Sequence, residues 1–121
     1  MNLLVLSLLA LFSLGKSQSS DFNLYFNSVE WITRDGILSL SIDHKTVPYD
    51  KVPEAFAELE RLFSQDPQWK NRDSLYMQFL CHVNFAANKN PWNIEPHRVT
   101  TSYLQHILYA CNPPRKYYYY I

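Results

Sequence analysis

The first regular pattern of apolar and polar residues along the chain, once past its N-terminal segment, is that of a β-hairpin. Residues 23–33 and 37–42 are rich in β-branched and aromatic side chains, and Asp35 and Gly36 between them are the preferred pair for a type I′ turn. Only one pairing register keeps the apolar residues on a common face, because a slip by one residue would exchange the two faces. On the apolar face it predicts the pairs Thr33–Leu38, Trp31–Leu40 and Val29–Ile42; the remaining pairs are Arg34–Ile37, Ile32–Ser39 and Glu30–Ser41.

Two longer segments then have the 3.6-residue period of amphipathic helices. The first helix is predicted to begin with Asp50 as N-cap, to carry Pro53 in its first turn and to end at Asp66. The second begins at Asp73 or Ser74 and ends near Ala87. The predicted buried residues of the first are Val52, Ala55, Phe56, Leu59, Leu62 and Phe63, and those of the second are Tyr76, Phe79, Leu80 and Val83.

A loop and a third helix complete this part of the chain. Residues 88–99 contain two prolines and no periodicity, which predicts a loop. Thr100 or Thr101 is the expected N-cap of the third helix, and Cys111 lies at its end. The residues of this helix predicted to face inward are Tyr103, Leu104, Ile107 and Leu108. The elements together predict an α+β fold, with a small antiparallel hairpin or sheet packed on about three helices.

The N-terminal segment has the pattern of a secretory signal peptide. Residues 3–14 are almost purely apolar, too short a run to cross a bilayer, and small residues follow at 15 and 17. We expect residues 1–17 to be the signal peptide, although cleavage after Gly15 and an N-terminal core helix are alternatives. The domains are then the signal peptide, a single compact secreted domain at 18–114, and a Tyr-rich tail at 115–121 that is either an edge strand or exposed.

Composition limits the function classes. The 11 basic and 11 acidic residues cancel, so no nucleic-acid partner is expected, and no second long apolar run predicts a membrane span in the mature chain. Cys81 and Cys111 are an even pair, which in an oxidising compartment is most simply a disulfide; two free thiols are the alternative. No phosphate-binding glycine loop, serine-nucleophile elbow or EF-hand pattern is present, and no cofactor is expected.

Three segments, in their order along the chain, resemble a family of secreted bacterial proteins known as domain of unknown function family 2599. They are Val29-Glu30-Trp31-Ile32-Thr33-Arg34-Asp35-Gly36 with Leu38-Ser39-Leu40-Ser41, then Gln78-Phe79-Leu80-Cys81-His82, then Trp92-Asn93-Ile94-Glu95-Pro96-His97-Arg98 with Cys111-Asn112-Pro113. The resemblance covers roughly residues 29–113. It implies a secreted domain with a Cys81–Cys111 bridge and implies no activity.

One polar cluster is a candidate for chemistry. If a disulfide holds the second helix near the end of the third, the loop between them folds back over their junction, and loops on rigid scaffolds often carry function. His82 adjoins the first cysteine, with Asn84 nearby, and the loop supplies Glu95, His97 and Arg98. A hydrolytic site would use a histidine as base, a carboxylate to orient it and an arginine to bind an anion. The stronger interpretation is structural, with Glu95 and Arg98 as a salt bridge and Trp92 and Ile94 in the core.

A metal site is less well supported, because His82, His97 and His106 lack the spacing of familiar zinc motifs. Two function classes remain. The first is a secreted, disulfide-stabilised interaction module or toxin-like effector that acts on a protein or cell-surface target. The alternative is a small secreted hydrolase whose candidate catalytic residues are His82, Glu95, His97 and Arg98.

Overall fold

The computed structural model of the protein describes residues 21–113, which form an α+β fold as predicted. The predicted signal peptide and the Tyr-rich tail lie outside the described residues. In chain order the elements are α1 (Phe22–Tyr25), β1 (Phe26–Arg34), β2 (Ile37–His44), a 3₁₀ turn (Tyr49–Lys51), α2 (Val52–Phe63), α3 (Arg72–Phe85), β3 (Trp92–Ile94) and α4 (Tyr103–Leu108). Within residues 21–113, no helix has the length and apolar character that crossing a membrane requires.

The hairpin has the predicted register. Strands β1 and β2 are antiparallel, and every predicted pair from Val29–Ile42 to Arg34–Ile37 is present. Asp35 and Gly36 both have positive φ, 52° and 75°, as a type I′ turn requires. Leu40 and Ile42 are fully buried. Ser39, on the opposite face, is also fully buried, because the segment that follows β3 covers it.

The predicted loop at 88–99 was wrong in one respect, since it contains the short strand β3. This strand pairs antiparallel with the free edge of β2, so the sheet has the order β1-β2-β3. Trp92 and Ile94 point to the core and the intervening residue Asn93 does not. A three-residue strand has too few positions to show an alternation in sequence, and its stability comes from the neighbouring strand.

Helices α2 and α3 confirm the predicted elements but correct several positions. Asp50 lies in the 3₁₀ turn and does not cap α2, which has Lys51 at its N-cap without a side-chain hydrogen bond. Leu62 was predicted to be buried but is 46% exposed, because Phe63 makes the core contact of the last turn instead. α3 begins at Arg72, slightly earlier than predicted. Its buried residues include three that the predicted apolar stripe omitted: Leu75, Gln78 and His82.

Helix α4 was predicted with the wrong side inward. Leu104 and Leu108 are 63% and 65% exposed, whereas His106 is completely buried. The N-cap is Ser102, whose hydroxyl accepts a hydrogen bond from the Gln105 backbone N–H, and neither Thr100 nor Thr101. Thr100 instead has its carbonyl oxygen 3.0 Å from His106 Nε2. The His106–Thr100 hydrogen bond and the tether at Cys111 set the rotation of α4 about its axis. The apolar pattern of the helix does not set this rotation, because the helix has only six residues.

The predicted disulfide is confirmed. Cys81 in α3 is bonded to Cys111 just after α4, with the two Cα atoms 5.5 Å apart. Both cysteines are buried, and the backbone N–H of Cys111 donates to the carbonyl of His106 at 2.7 Å. The bond therefore fixes the chain after α4 against the C-terminal half of α3. Buried side chains from α1, the hairpin, α2, α3 and β3 form one hydrophobic core.

Candidate functional site

Trp92 anchors the segment that crosses the junction of α3 and α4. Its side chain is 2% exposed, and its ring packs edge-on against Phe79 at 5.8 Å between centroids. The indole Nε1–H donates to the carbonyl of Ala86 at 2.9 Å, so its only polar group is bonded. The ring also stacks on His44. The prediction that this segment folds against the helix junction with Trp92 buried is confirmed.

The backbone of Glu95 is held by a side chain of α3. The Gln78 carboxamide accepts from the Glu95 N–H at 2.7 Å and donates to the Glu95 carbonyl at 3.0 Å. Gln78 is fully buried, and an amide can satisfy both groups of one residue because it carries a donor and an acceptor. Gln78 thus replaces the strand pairing that ends at Ile94.

The carboxylate of Glu95 makes the predicted contact with Arg98. Arg98 Nε donates to Glu95 Oε1 at 2.8 Å, and the Ser39 hydroxyl donates to Oε2 at 3.1 Å. The Glu95 side chain is 3% exposed. Both carboxylate oxygens are therefore bonded to protein groups, which is the usual condition for a buried charge.

Arg98 connects this pair to the end of the described chain. Its Nη1 donates to the backbone carbonyls of Asn112 and Pro113, next to the disulfide. The Ser74 hydroxyl of α3 donates to the carbonyl of Arg98. The Glu95–Arg98 pair therefore joins β2, α3 and the segment after α4, and these contacts give it a bracing role.

The two candidate histidines lie in separate cavities. His82 is buried and lines a cavity of about 200 Å³ together with Arg34, Lys89 and Asn93. His97 lines another of about 470 Å³, among residues of the α2–α3 connection such as Lys70 and Asn71. Of the four candidate catalytic residues, the structure brings together Glu95 and Arg98 in one ion pair and places the two histidines in different cavities.

His82 is a neutral imidazole with a defined orientation. Its Nδ1–H donates to the carbonyl of Gln78, four residues earlier in α3, at 2.7 Å. Nε2 on the other side of the ring then carries the lone pair. Burial lowers the pKa of His82 below its ordinary 6.5, and the nearby charge of Lys89 acts in the same direction. His82 therefore accepts a hydrogen bond or a proton.

The remaining polar residues of the predicted cluster have structural contacts or lie apart. Asn84 donates from Nδ2 to the Tyr103 hydroxyl at 2.8 Å, which links α3 to α4. The side chain of His106 lies on the buried face of α4, and burial lowers its pKa below 6.5. Among residues 21–113, no three His, Cys, Asp or Glu side chains are grouped as metal ligands would be.

The chain matches a family model over most of its length. The model described as protein of unknown function (DUF2599) matches residues 26–114. The chain belongs to this family. The match spans about three quarters of the chain, from the first residue of β1 to just past the disulfide, and the Tyr-rich tail lies outside it. No curated protein and no solved structure matches this DUF2599 chain.

Sequence reasoning missed several residues that the DUF2599 domain places at the junction. Gln78 and Ser39 are uncharged and entered the sequence analysis only as parts of the segments that carry the family resemblance; only the fold shows that they bond to Glu95. Arg34 was interpreted as a hairpin residue, and Lys89 and Asn93 as loop residues. A usable sequence signal was present for Gln78, since a glutamine one turn before a histidine lies among the apolar residues of α3.

Proposed function

We propose that the protein is a secreted, disulfide-stabilised interaction module that binds a protein partner through the outer face of α4. The apolar run at residues 3–14 and the small residues after it support export. The Cys81–Cys111 bond supports an oxidising destination, because disulfides persist outside the reducing cytosol. The module acts by binding, and its partner has an apolar groove.

The exposed apolar face of α4 carries this proposal. Leu104, Ile107 and Leu108 are 63%, 38% and 65% exposed, and they lie at positions i, i+3 and i+4 of one helix face. His106 on the opposite face is buried. A cluster of exposed aliphatic residues, in contrast to single ones, marks an interaction surface.

The neutral character of this region indicates the chemistry of the partner. Residues 99–113 contain no Asp, Glu, Lys or Arg, in a chain of which 18% is charged. Charged residues are depleted from the cores of protein interfaces, and a surface without charge gains little from a charged partner. The contact surface of the partner is therefore apolar.

The shape of the surface favours a groove over a second copy of this chain. A helix of six residues is about 9 Å long and therefore offers much less than the ~800 Å² that each side of a stable interface buries. A groove surrounds the helix and buries its flanks as well, which is the recognition mode that uses anchors at i, i+3 and i+4.

A matched pair of variants tests the proposal. Leu104→Ser with Leu108→Ser removes two anchors, whereas Leu24→Ser removes a leucine that is equally exposed, at 61%, on α1. Proteins captured from an extracellular extract by the parent chain are purified, and their binding is measured by calorimetry. We expect the double variant to bind about 100-fold or more weakly, since each buried leucine contributes about 1.5–3 kcal/mol, and Leu24→Ser to bind like the parent.

Three other results would overturn the proposal. Equal binding by the parent and the double variant would place the contact elsewhere. Self-association in sedimentation experiments that disappears in the double variant would make a second copy the occupant. Removal of residues 115–121 could also increase the binding of an apolar dye to the parent but not to the double variant. That result would show that the tail occupies this face.

A further inference from the structure

A small basic cavity beside the disulfide has the features of a ligand site. Its walls come from the end of β1, the C-terminal half of α3, the β3 segment and the chain after α4. His82 follows Cys81 directly, and Asn112 follows Cys111 directly, so the Cys81–Cys111 bond fixes the distance between two of its walls. We call this cavity the basic pocket; the lining residues used below are Arg34, His82, Lys89, Trp92, Asn93 and Asn112.

The charge of the basic pocket is positive and unbalanced. Arg34 and Lys89 line it, and none of its described lining residues is acidic. Neither cation belongs to the ion pairs formed among residues 21–113, which involve Arg61, Arg72 and Arg98. His82 is neutral and contributes no charge. An anion is the complementary ligand, and a guanidinium binds a carboxylate through two parallel hydrogen bonds.

The pocket also holds a hydrogen-bond acceptor. His82 Nε2 carries a lone pair, because Nδ1–H is engaged by Gln78. Buried polar atoms are nearly always bonded, so this acceptor calls for a donor on the ligand. A bare anion supplies no donor, whereas hydroxyl groups on the same ligand supply them.

The size of the pocket sets the size of the ligand. A volume of about 200 Å³ is below the roughly 300–1,000 Å³ of drug-sized sites. It equals roughly the space of seven water molecules. This volume accommodates one sugar-sized group. The disulfide and the pairing of β3 with β2 keep the walls in place, so the site is formed before the ligand binds.

From these features we infer that the basic pocket binds a small hydroxylated carboxylate, such as a sugar acid. Its carboxylate lies between Arg34 and Lys89, and one of its hydroxyls donates to His82 Nε2. Because the pocket and the outer face of α4 use different side chains, this inference does not rest on the proposed function, and either can fail alone.

Titration of the ¹⁵N-labelled full chain with D-glucuronate, observed by NMR, tests the inference. Glucose provides hydroxyls without charge, and sulfate provides charge without a donor. We expect saturable shifts at Lys89, Asn93 and Asn112 with glucuronate, and at least about tenfold weaker binding of glucose and of sulfate, equal to the loss of one charge-assisted contact. The absence of a saturable shift with glucuronate, or equal binding of either control compound, would overturn it.

Variants at exposed positions keep the test independent of folding. Arg34 and Lys89 are both exposed, so Arg34→Gln and Lys89→Gln leave the core intact, which a thermal melt verifies. Each is expected to weaken glucuronate binding about tenfold. Lys51→Gln removes a charge that is also exposed, from the 3₁₀ turn, and is expected to bind as the parent does. Unchanged binding in both pocket variants would contradict the assignment.

Discussion

At the residue scale, Glu95 shows how one buried charge can join several elements. Its carboxylate is bonded to Arg98 and Ser39, and its backbone to Gln78. Glu95→Gln keeps the shape but leaves the Arg98 guanidinium without its anion. Breaking a buried pair by neutralising one partner is destabilising, so we expect the free energy of unfolding in urea to fall by about 2–4 kcal/mol.

The matched control is Ser39→Ala, which removes only the neutral contact to the same carboxylate. It should lower the free energy of unfolding by about 1 kcal/mol, as expected for one hydrogen bond. If Glu95→Gln is as stable as the parent, the pair is not a brace. If Glu95→Gln keeps the parent's stability but abolishes a hydrolytic activity, Glu95 belongs to a catalytic site, and this result supports the hydrolase alternative.

Gly36 is a second residue whose role is fixed by backbone geometry alone. Its φ is 75°, and a Cβ built there meets nothing within 4 Å. A substitution is therefore penalised by the left-handed backbone and not by crowding. We expect Gly36→Val to lower the free energy of unfolding by about 1–2 kcal/mol more than Gly36→Asn, because asparagine tolerates this region and β-branched residues resist it. Equal thermal melting of the two variants would contradict the turn assignment.

At the element scale, the hairpin and α4 explain what could be predicted from sequence. The hairpin register depends on two local features, a turn dipeptide and an alternation over six residue pairs, and a shift by one residue would expose the whole apolar face. The rotation of α4 depends on Thr100, which bonds to His106, and on two partners far away in sequence: Cys81, which tethers its end, and Asn84, which bonds to Tyr103. A six-residue helix has too little apolar surface to override them.

In the candidate site too, contacts between residues close in sequence could be predicted and contacts between distant residues could not. Glu95 and Arg98 are three residues apart on either side of a proline, and their contact was predicted from that spacing. The Glu95 contacts with Gln78 and Ser39 span 17 and 56 residues, so no local pattern contains them. The basic pocket collects residues from four separate segments and could not be predicted before the fold was known.

In most helices, replacing a leucine lowers stability more than replacing a histidine. We expect the opposite in α4, because its leucines face outward and its histidine is buried. Leu108→Ala removes an exposed side chain and should change the free energy of unfolding by less than about 0.5 kcal/mol. His106→Ala removes a buried ring that bonds to Thr100 and should lower it by about 1–3 kcal/mol. Urea denaturation of both variants measures the difference. A larger effect of Leu108→Ala than of His106→Ala would mean that the apolar face of α4 is turned inward.

At the scale of the whole molecule, the disulfide and the acid-sensitive histidines act on the same junction. The Cys81–Cys111 bond closes a loop across 30 residues, which stabilises the fold by about 3–4 kcal/mol when loop-closure entropy alone is counted. His82 adjoins one cysteine, and the carbonyl of His106 accepts the hydrogen bond from the N–H of the other. Protonation of either histidine therefore places a charge next to the bond that holds α4 to α3.

Stability should consequently fall in mild acid. In the folded protein, burial lowers the pKa of both His82 and His106 below 6.5, so the unfolded chain binds protons first as the pH decreases. The contribution of the neutral histidines is complete above pH ~6.5 and is lost as the pH falls below that value, with a slope of at most about 1.4 kcal/mol per pH unit for each histidine. Urea denaturation at several pH values between 8 and ~5 measures this slope. His82→Gln removes one titrating group, so its free energy of unfolding should be lower at neutral pH but should depend less steeply on pH. A parent protein whose stability is constant or increases as the pH falls through this window would contradict the burial of both imidazoles in neutral form.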